Sequence, residues 1–315
     1  MYCHQNNKKR KSDKGCTESK GSHQLAVLNR SLCLVNSGND SAESAMPTNV
    51  FSATTQMTKR LIDVFDLFKD NVECNLEFSE NGLDFRALYS DRTVYISVHF
   101  DRTVFSDLNC SGEKKAPFCV NLGTLAKKMG ILKKFKPQKL TFERNDNQLV
   151  VKGFTEKRAP SKITMNSLVD GVHELNTSSF TYDTLLRISS EELKDTIESM
   201  PSIFTIRFDV DNKCLQFDGS DDVSSVSLSV GLSTDAFKEA LRFDSVLTYR
   251  ACFLKSALVY LVRATKLSAF VTLGLKKEQP LYASYVITES CDTKTTNYSV
   301  ANLYFSPKLE EDSDL

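Results

Sequence analysis

The chain has 315 residues, 41% hydrophobic and 25% charged, and its 40 Lys and Arg balance 40 Asp and Glu. This is globular composition at a length that suits two domains, and zero formal charge argues against a simple, strongly basic nucleic-acid binder. No apolar run approaches the roughly 20 residues of a membrane span, and the polar, basic start does not read as a secretory signal.

Residues 1–48 are poor in aromatics and rich in Ser, Asn, Lys and Gly, the composition of a disordered tail. Lys8, Lys9, Arg10 and Lys11 form a basic cluster of the nuclear-import kind, and residues 25–35 make a small apolar island. A helix is predicted over 58–70, with Leu61, Ile62, Val64, Phe65 and Phe68 on one face and Lys59, Asp63, Asp66, Lys69 and Asp70 on the other. Asn81-Gly82 marks a tight hairpin turn. Val94, Ile96, Val98 and Phe100 then alternate with Tyr95, Ser97 and His99 as in a strand. A second helix, 121–134, buries Leu122, Leu125, Met129 and Leu132 and exposes Thr124, Lys127, Lys128 and Lys134. Lys133 and Lys136 near its end complement the helix dipole. The strand-like runs KLTFER and QLVVKGF follow.

Residues 161–180 form a connector whose second half has no regular period, with Leu168, Val172 and Leu175 among polar neighbours. Beyond it the order repeats. A helix over 190–200 buries Leu193 and Ile197 and shows Glu191, Glu192, Asp195 and Glu198 to solvent, and a helix over 251–264 shows Lys255 and Arg263. Phe85 and Phe217, like Leu149 and Leu281, stand 132 residues apart, so we read two copies of one unit joined by a strap. The expected class is α+β, two similar domains each with two helices packed on antiparallel sheets. The boundaries are a tail at 1–48, domains at 49–160 and 181–309, a connecting loop at 161–180 and an acidic tail at 310–315.

Catalytic chemistry is not in evidence. No GxSxG, HExxH, Walker or dinucleotide motif occurs, and His4, His23, His99 and His173 are dispersed. Asp209, Asp211, Asp218, Asp221 and Asp222 fall where turns are expected, which Asp favours for its own backbone hydrogen bonds. Nine cysteines without a CxxC pair fit reduced thiols. We expect no enzyme activity, cofactor or metal.

Four stretches carry a resemblance to a known family: 61–100, 120–129 (VNLGTLAKKM), 263–287 (RATKLSAFVTLGLKKEQPLYASYVI) and 303–312 (LYFSPKLEED). They resemble the opening helix and hairpin and the "GVNLxxLxKxLK", "KATPLSxxVxLxLxxxxPLxxxY" and "YYLAPKIEDE" segments of the proliferating cell nuclear antigen family of sliding clamps. The last two are the specific ones, and the match spans about 50–312. The resemblance implies a DNA clamp fold that closes as a homotrimeric ring around double-stranded DNA. Such a clamp is a polymerase processivity factor that tethers replication and repair proteins, is placed by a clamp loader, has no reaction of its own and works in the nucleus or a viral replication compartment. It implies ring edges at 162–168 (Ile163, Met165) and 224–232 (Val226, Leu228, Val230). Lys69, Lys127, Lys134, Lys194, Lys255 and Arg263 would face DNA. Leu88, Leu175, Pro280, Leu281, Tyr304, Phe305 and Pro307 would receive a glutamine–aliphatic–diaromatic peptide. One departure is the acidic helix over 190–200, where the family is basic. A subunit of a heterotrimeric checkpoint-type clamp and a non-ring viral processivity factor are the alternatives. The SPKLEED terminus argues against the first. Against the second, the first 48 residues hold seven Lys/Arg and four Asp/Glu, leaving 33 against 36 in the body.

Overall fold

The computed structural model of the chain describes residues 51–89, 92–110, 117–145, 147–168, 175–209, 212, 214–231, 249–289 and 298–308. The basic cluster, the apolar island, Val172, His173, Leu232 and the acidic tail lie outside them.

The first half runs β1 (Phe51–Thr55), α1 (Thr58–Leu67), β2 (Glu73–Ser79), β3 (Gly82–Leu88), β4 (Val94–Asp101), β5 (Asp107–Cys110), β6 (Phe118–Asn121), α2 (Leu122–Lys134), β7 (Lys139–Asn145), β8 (Gln148–Thr155) and β9 (Arg158–Asn166). The second runs β10 (Thr184–Ser189), α3 (Ser190–Ser199), β11 (Ile203–Asp209), β12 (Cys214–Ser220), β13 (Ser225–Gly231), β14 (Arg250–Leu254), α4 (Lys255–Ala264), β15 (Phe270–Leu275), β16 (Leu281–Glu289) and β17 (Tyr298–Phe305). The strands make three sheets, ordered β5-β1-β7-β8-β9, β10-β15-β16-β17-β4-β3-β2-β6 and β13-β12-β11-β14.

The fold is α+β and internally repeated. The set β1-β7-β8-β9 corresponds to β10-β15-β16-β17, and β4-β3-β2-β6 to β13-β12-β11-β14. The helices keep the 132-residue offset: α1 buries Thr58, Leu61, Val64 and Phe65 where α3 buries Ser190, Leu193, Thr196 and Ile197. The pair α1 and α2 packs together, as does α3 with α4. Phe65 sits between Phe85 and Phe100, ring centroids 5.3 and 6.4 Å away, and burying such a ring stabilises by about 1.5–3 kcal/mol. The halves meet at one seam, β17 against β4, running from Val300↔His99 to Phe305↔Val94.

Local chemistry explains the boundaries. The side chain of Asn121 accepts from Thr124 N at 2.9 Å and opens α2, as Ser189 accepts from Glu192 N to open α3. The helix expected over 251–264 begins only at Lys255, because 250–254 pair with β11 (Thr205↔Cys252) as β14. The β2–β3 turn is Glu80-Asn81, one residue earlier than the Asn-Gly signal suggests, since Ser79 pairs with Gly82. Gly82 has φ 135° and a Cβ there would lie 1.9 Å from Phe100 O, so glycine is required by close approach.

Candidate nucleic-acid and partner interfaces

On α2, Lys127 and Lys134 are exposed and make no ion pair among the described residues. Their neighbours are engaged: Lys128 Nζ donates to Thr164 O at 2.7 Å and Lys133 to Asp63 Oδ1 at 2.6 Å. That bond to Asp63 holds the Lys133 ammonium above its ordinary pKa.

The other expected DNA-facing cations have work within the fold. Lys69 pairs with Asp66 at 3.0 Å on the surface. Lys194 stands 3.9 Å from Glu198 and 4.0 Å from Asp195. Lys255 Nζ donates to Glu198 O at 2.6 Å and Met200 O at 2.7 Å, closing the C-terminus of α3. These carbonyls are the orphan acceptors that a helix end leaves. Arg263 holds both oxygens of Asp70 at 3.1 and 3.0 Å, and Tyr260 Oη donates to the same carboxylate at 2.5 Å. This cluster joins α4 to the end of α1, and the Tyr89 ring packs tilted at 43° against Tyr260 with centroids 4.1 Å apart. Its hydroxyl donates to Phe68 O, and burial pushes its pKa far up.

Sequence reasoning missed a basic cleft of about 360 Å³ at the end of α2, lined by Lys134, Lys136, Lys157 and Arg158. The signal was divided between two distant stretches that only the β8–β9 turn brings together.

The expected partner residues divide between the two faces of the large sheet. Leu88, Tyr95, Tyr304 and Tyr282 lie in one cross-strand row, each paired with the next. Phe180 and Tyr182 cover it, at 5.8 Å from the Tyr304 ring and stacked 5.1 Å from Tyr282. Gly274 makes room, since a Cβ there would meet both tyrosine rings below 3.0 Å. Leu175 is 40% exposed beside Thr177 and the strap that bears Phe180, and Pro280 and Pro307 are half-buried. Leu281 and Phe305 pair with each other but face the core, at 1% and 0% exposure. They hold the row in place from beneath and offer no surface. The alternation of a strand puts Tyr282 and Tyr304, not their neighbours, on the outer face.

The turn carboxylates behave as turn residues. Asp221 Oδ1 accepts from Val223 N and Ser224 N, which holds its pKa low. Asp209, at the end of β11, accepts from Asn212 N; Asp218 is not at the turn expected for it but within β12, where it accepts from Ser227 Oγ opposite it on β13, and Asp211 lies outside the described residues. Among the described residues no group of three or more His, Cys, Asp or Glu could hold a metal ion, and no helix is long and apolar enough to cross a membrane.

A strand–helix unit repeated at constant offset, two helices to each copy and one sheet shared across the seam, is the α+β DNA clamp fold. No family model matches the chain. It is similar to proliferating cell nuclear antigen 1 of Plasmodium falciparum, in isolates K1 / Thailand and 3D7, at 23% identity over 261 residues, covering 80% of this chain and 94% of the relative. The chain is a divergent relative of that antigen, and this distant homology supports a protein of the sliding-clamp family.

Proposed function

We propose that this chain is a DNA sliding clamp: copies join head to tail into a closed homotrimer that encircles duplex DNA and tethers replication and repair proteins. Its domains are 49–166 and 181–309: the connector expected from 161 begins only after β9, which pairs with β8 through Asn166, and the protein works in the nucleus without a reaction of its own. The observation that carries the reading is the pair of sheet edges left by the repeat. Within the chain β17 meets β4; their counterparts β9 and β13 pair only with β8 and β12 among the described residues. An unmatched edge is a template for another chain, and a heterologous contact that closes by rotation makes a ring.

The seam also supplies a register. Met165 stands opposite Leu149 as Phe305 stands opposite Leu281, and β13 follows β4 at a 130-residue offset, since Phe85 faces Val98 where Phe217 faces Leu228. Leu303↔Ile96 and Ala301↔Val98 then become Ile163↔Val226 and Ser161↔Leu228 between copies. Leu228 is 36% exposed on an edge strand, an apolar side chain that such pairing would cover.

Partners would dock at the half-buried rim of that row, on Leu88 and Tyr282 beside the exposed Leu175, where an apolar and aromatic rim suits a short plug with an aliphatic and two aromatic side chains; Tyr304, 9% exposed under Phe180, supports it from below. The test is retention on DNA: the purified chain, loaded on nicked circular or linear duplex of equal length, is challenged with rising salt. Retention on the circle and loss from the linear form is expected. Equal retention on both would mean that charge, not encirclement, holds the protein.

A further inference from the structure

Arg60 on α1 reaches across the seam inside one chain. Its guanidinium donates to Leu267 O and, at 3.2 Å, to Ile287 O. The residue 132 positions on, at the same place on α3, is Glu192, which is exposed and makes no ion pair among the described residues. The counterparts of Leu267 and Ile287 are Phe135 and Thr155, and both line the basic cleft at the end of α2.

The inserted residue has thus changed from cation to carboxylate, while the receptor, which has a lysine at Lys134 as at Lys266, carries Lys136 where the seam has Ser268. Inside the chain a cation meets carbonyl oxygens. At the equivalent place between copies a carboxylate would meet Lys134, Lys136, Lys157 and Arg158, all exposed. The carboxylate already in that wall, Glu156, accepts from Gln138 Nε2 at 3.3 Å. The same polarity recurs further along the helices: α2 presents lysines and α3 presents Asp195 and Glu198, the two faces that would be juxtaposed as α4 and α1 are by Arg263 and Asp70.

We infer that the cleft between the end of α2 and the β8–β9 turn is the socket for Glu192 of a second copy, and that opposite charges at Arg60 and Glu192 sort the halves so that each joins only its proper neighbour. A first half entering another first half would drive Arg60 into a ring of cations, and like-charge juxtaposition is the usual device for rejecting a wrong partner. The acidic face of α3 is thus part of the junction. The inference rests on the ring reading and adds to it a directional lock.

The test uses the full chain, with native mass measured by light scattering across a dilution series. Glu192→Arg is expected to raise the concentration at which the oligomer falls apart by about tenfold or more at low salt, with an unchanged circular dichroism spectrum. Adding Lys157→Glu and Arg158→Glu to that variant should bring the midpoint back towards wild type, and salt should narrow the differences. Wild-type oligomer with an unmoved Glu192→Arg midpoint overturns the socket and leaves the ring standing. So does a Lys157→Glu, Arg158→Glu variant that keeps the wild-type midpoint while losing duplex DNA binding, which would assign the cleft to phosphates. A wild-type chain that is monomeric throughout overturns both readings.

Discussion

Lys255 was expected to face DNA, and its geometry says instead that Lys255→Met should cost stability and leave DNA affinity alone. The ammonium makes two charge-assisted bonds, to Glu198 O at 2.6 Å and Met200 O at 2.7 Å. Such bonds contribute about 1.5–3 kcal/mol each when shielded. The one to Glu198 O is exposed and water can replace it; the one to Met200 O is partly buried. Methionine keeps the aliphatic stem, so the net loss is about 1–2 kcal/mol, with the favourable placement of a cation at a helix C-terminus included. Urea unfolding followed by circular dichroism reads it, at one fixed protein concentration because association adds to apparent stability. Lys127→Met is the control: exposed and unpaired, it should stay within about 0.5 kcal/mol of wild type while flattening log K against log salt by about 0.9. If Lys255→Met unfolds with wild type and also lowers that slope, Lys255 is a phosphate ligand and the capping argument is wrong.

Gly82→Ala should destabilise by about 3 kcal/mol or more, because its Cβ would collide with Phe100 O at 1.9 Å on a backbone with φ 135°; thermal unfolding checks it. His99 Nδ1 donates to Asp84 Oδ1 at 3.0 Å, and that hydrogen bond raises its pKa above the ordinary value. Its stabilisation is therefore complete below the unfolded pKa near 6.5 and lost as pH rises through the higher folded value. Stability relative to His99→Gln should fall from pH 6 to 8 by less than about 1 kcal/mol, since the pair is partly exposed. A glutamine–aliphatic–diaromatic peptide should lose affinity about tenfold for Leu88→Ala and less for Leu175→Ala, by calorimetry. Leu281→Ala should instead cost about 2–5 kcal/mol of folding stability, as a core truncation does.

Much of this fold was written in periodicity. The apolar spacing of α1, α2 and α3 and the alternation of β4 are visible in the chain, and the offset of Phe85 from Phe217 already marked β3 and β12 as counterparts. Short strands were not legible: β14 is an apolar run continuous with α4, and only its pairing to β11 makes it extended. Side-chain roles were legible only in part. Lys127 and Lys255 look alike in sequence as cations on helices, and what separates them is a carbonyl pair contributed by a helix 55 or more residues away. Leu281 and Phe305 sit inside family-like motifs, but a motif does not say which face of its strand a residue takes; the register with β16 and β17 does.

The distribution of charge argues for topology as the means of holding DNA. Of six cations expected to meet phosphates, Lys69, Lys194, Lys255 and Arg263 are already engaged with carboxylates or carbonyls. A cation that must leave such a partner to reach a phosphate gains little by the exchange, whereas Lys127 loses nothing; Lys134 lines the proposed socket for Glu192. One unencumbered lysine in each chain would give a shallow, sequence-independent attraction, a full contact adding about 0.9 to the salt slope. Grip of that kind would release an open protein at moderate salt, and it would also slow little the movement of a closed one. On the proposed ring reading, committing acids and bases to α3, α4 and the seam would leave the passage of DNA almost unopposed, which is the physical requirement for a ring that must stay on and still slide.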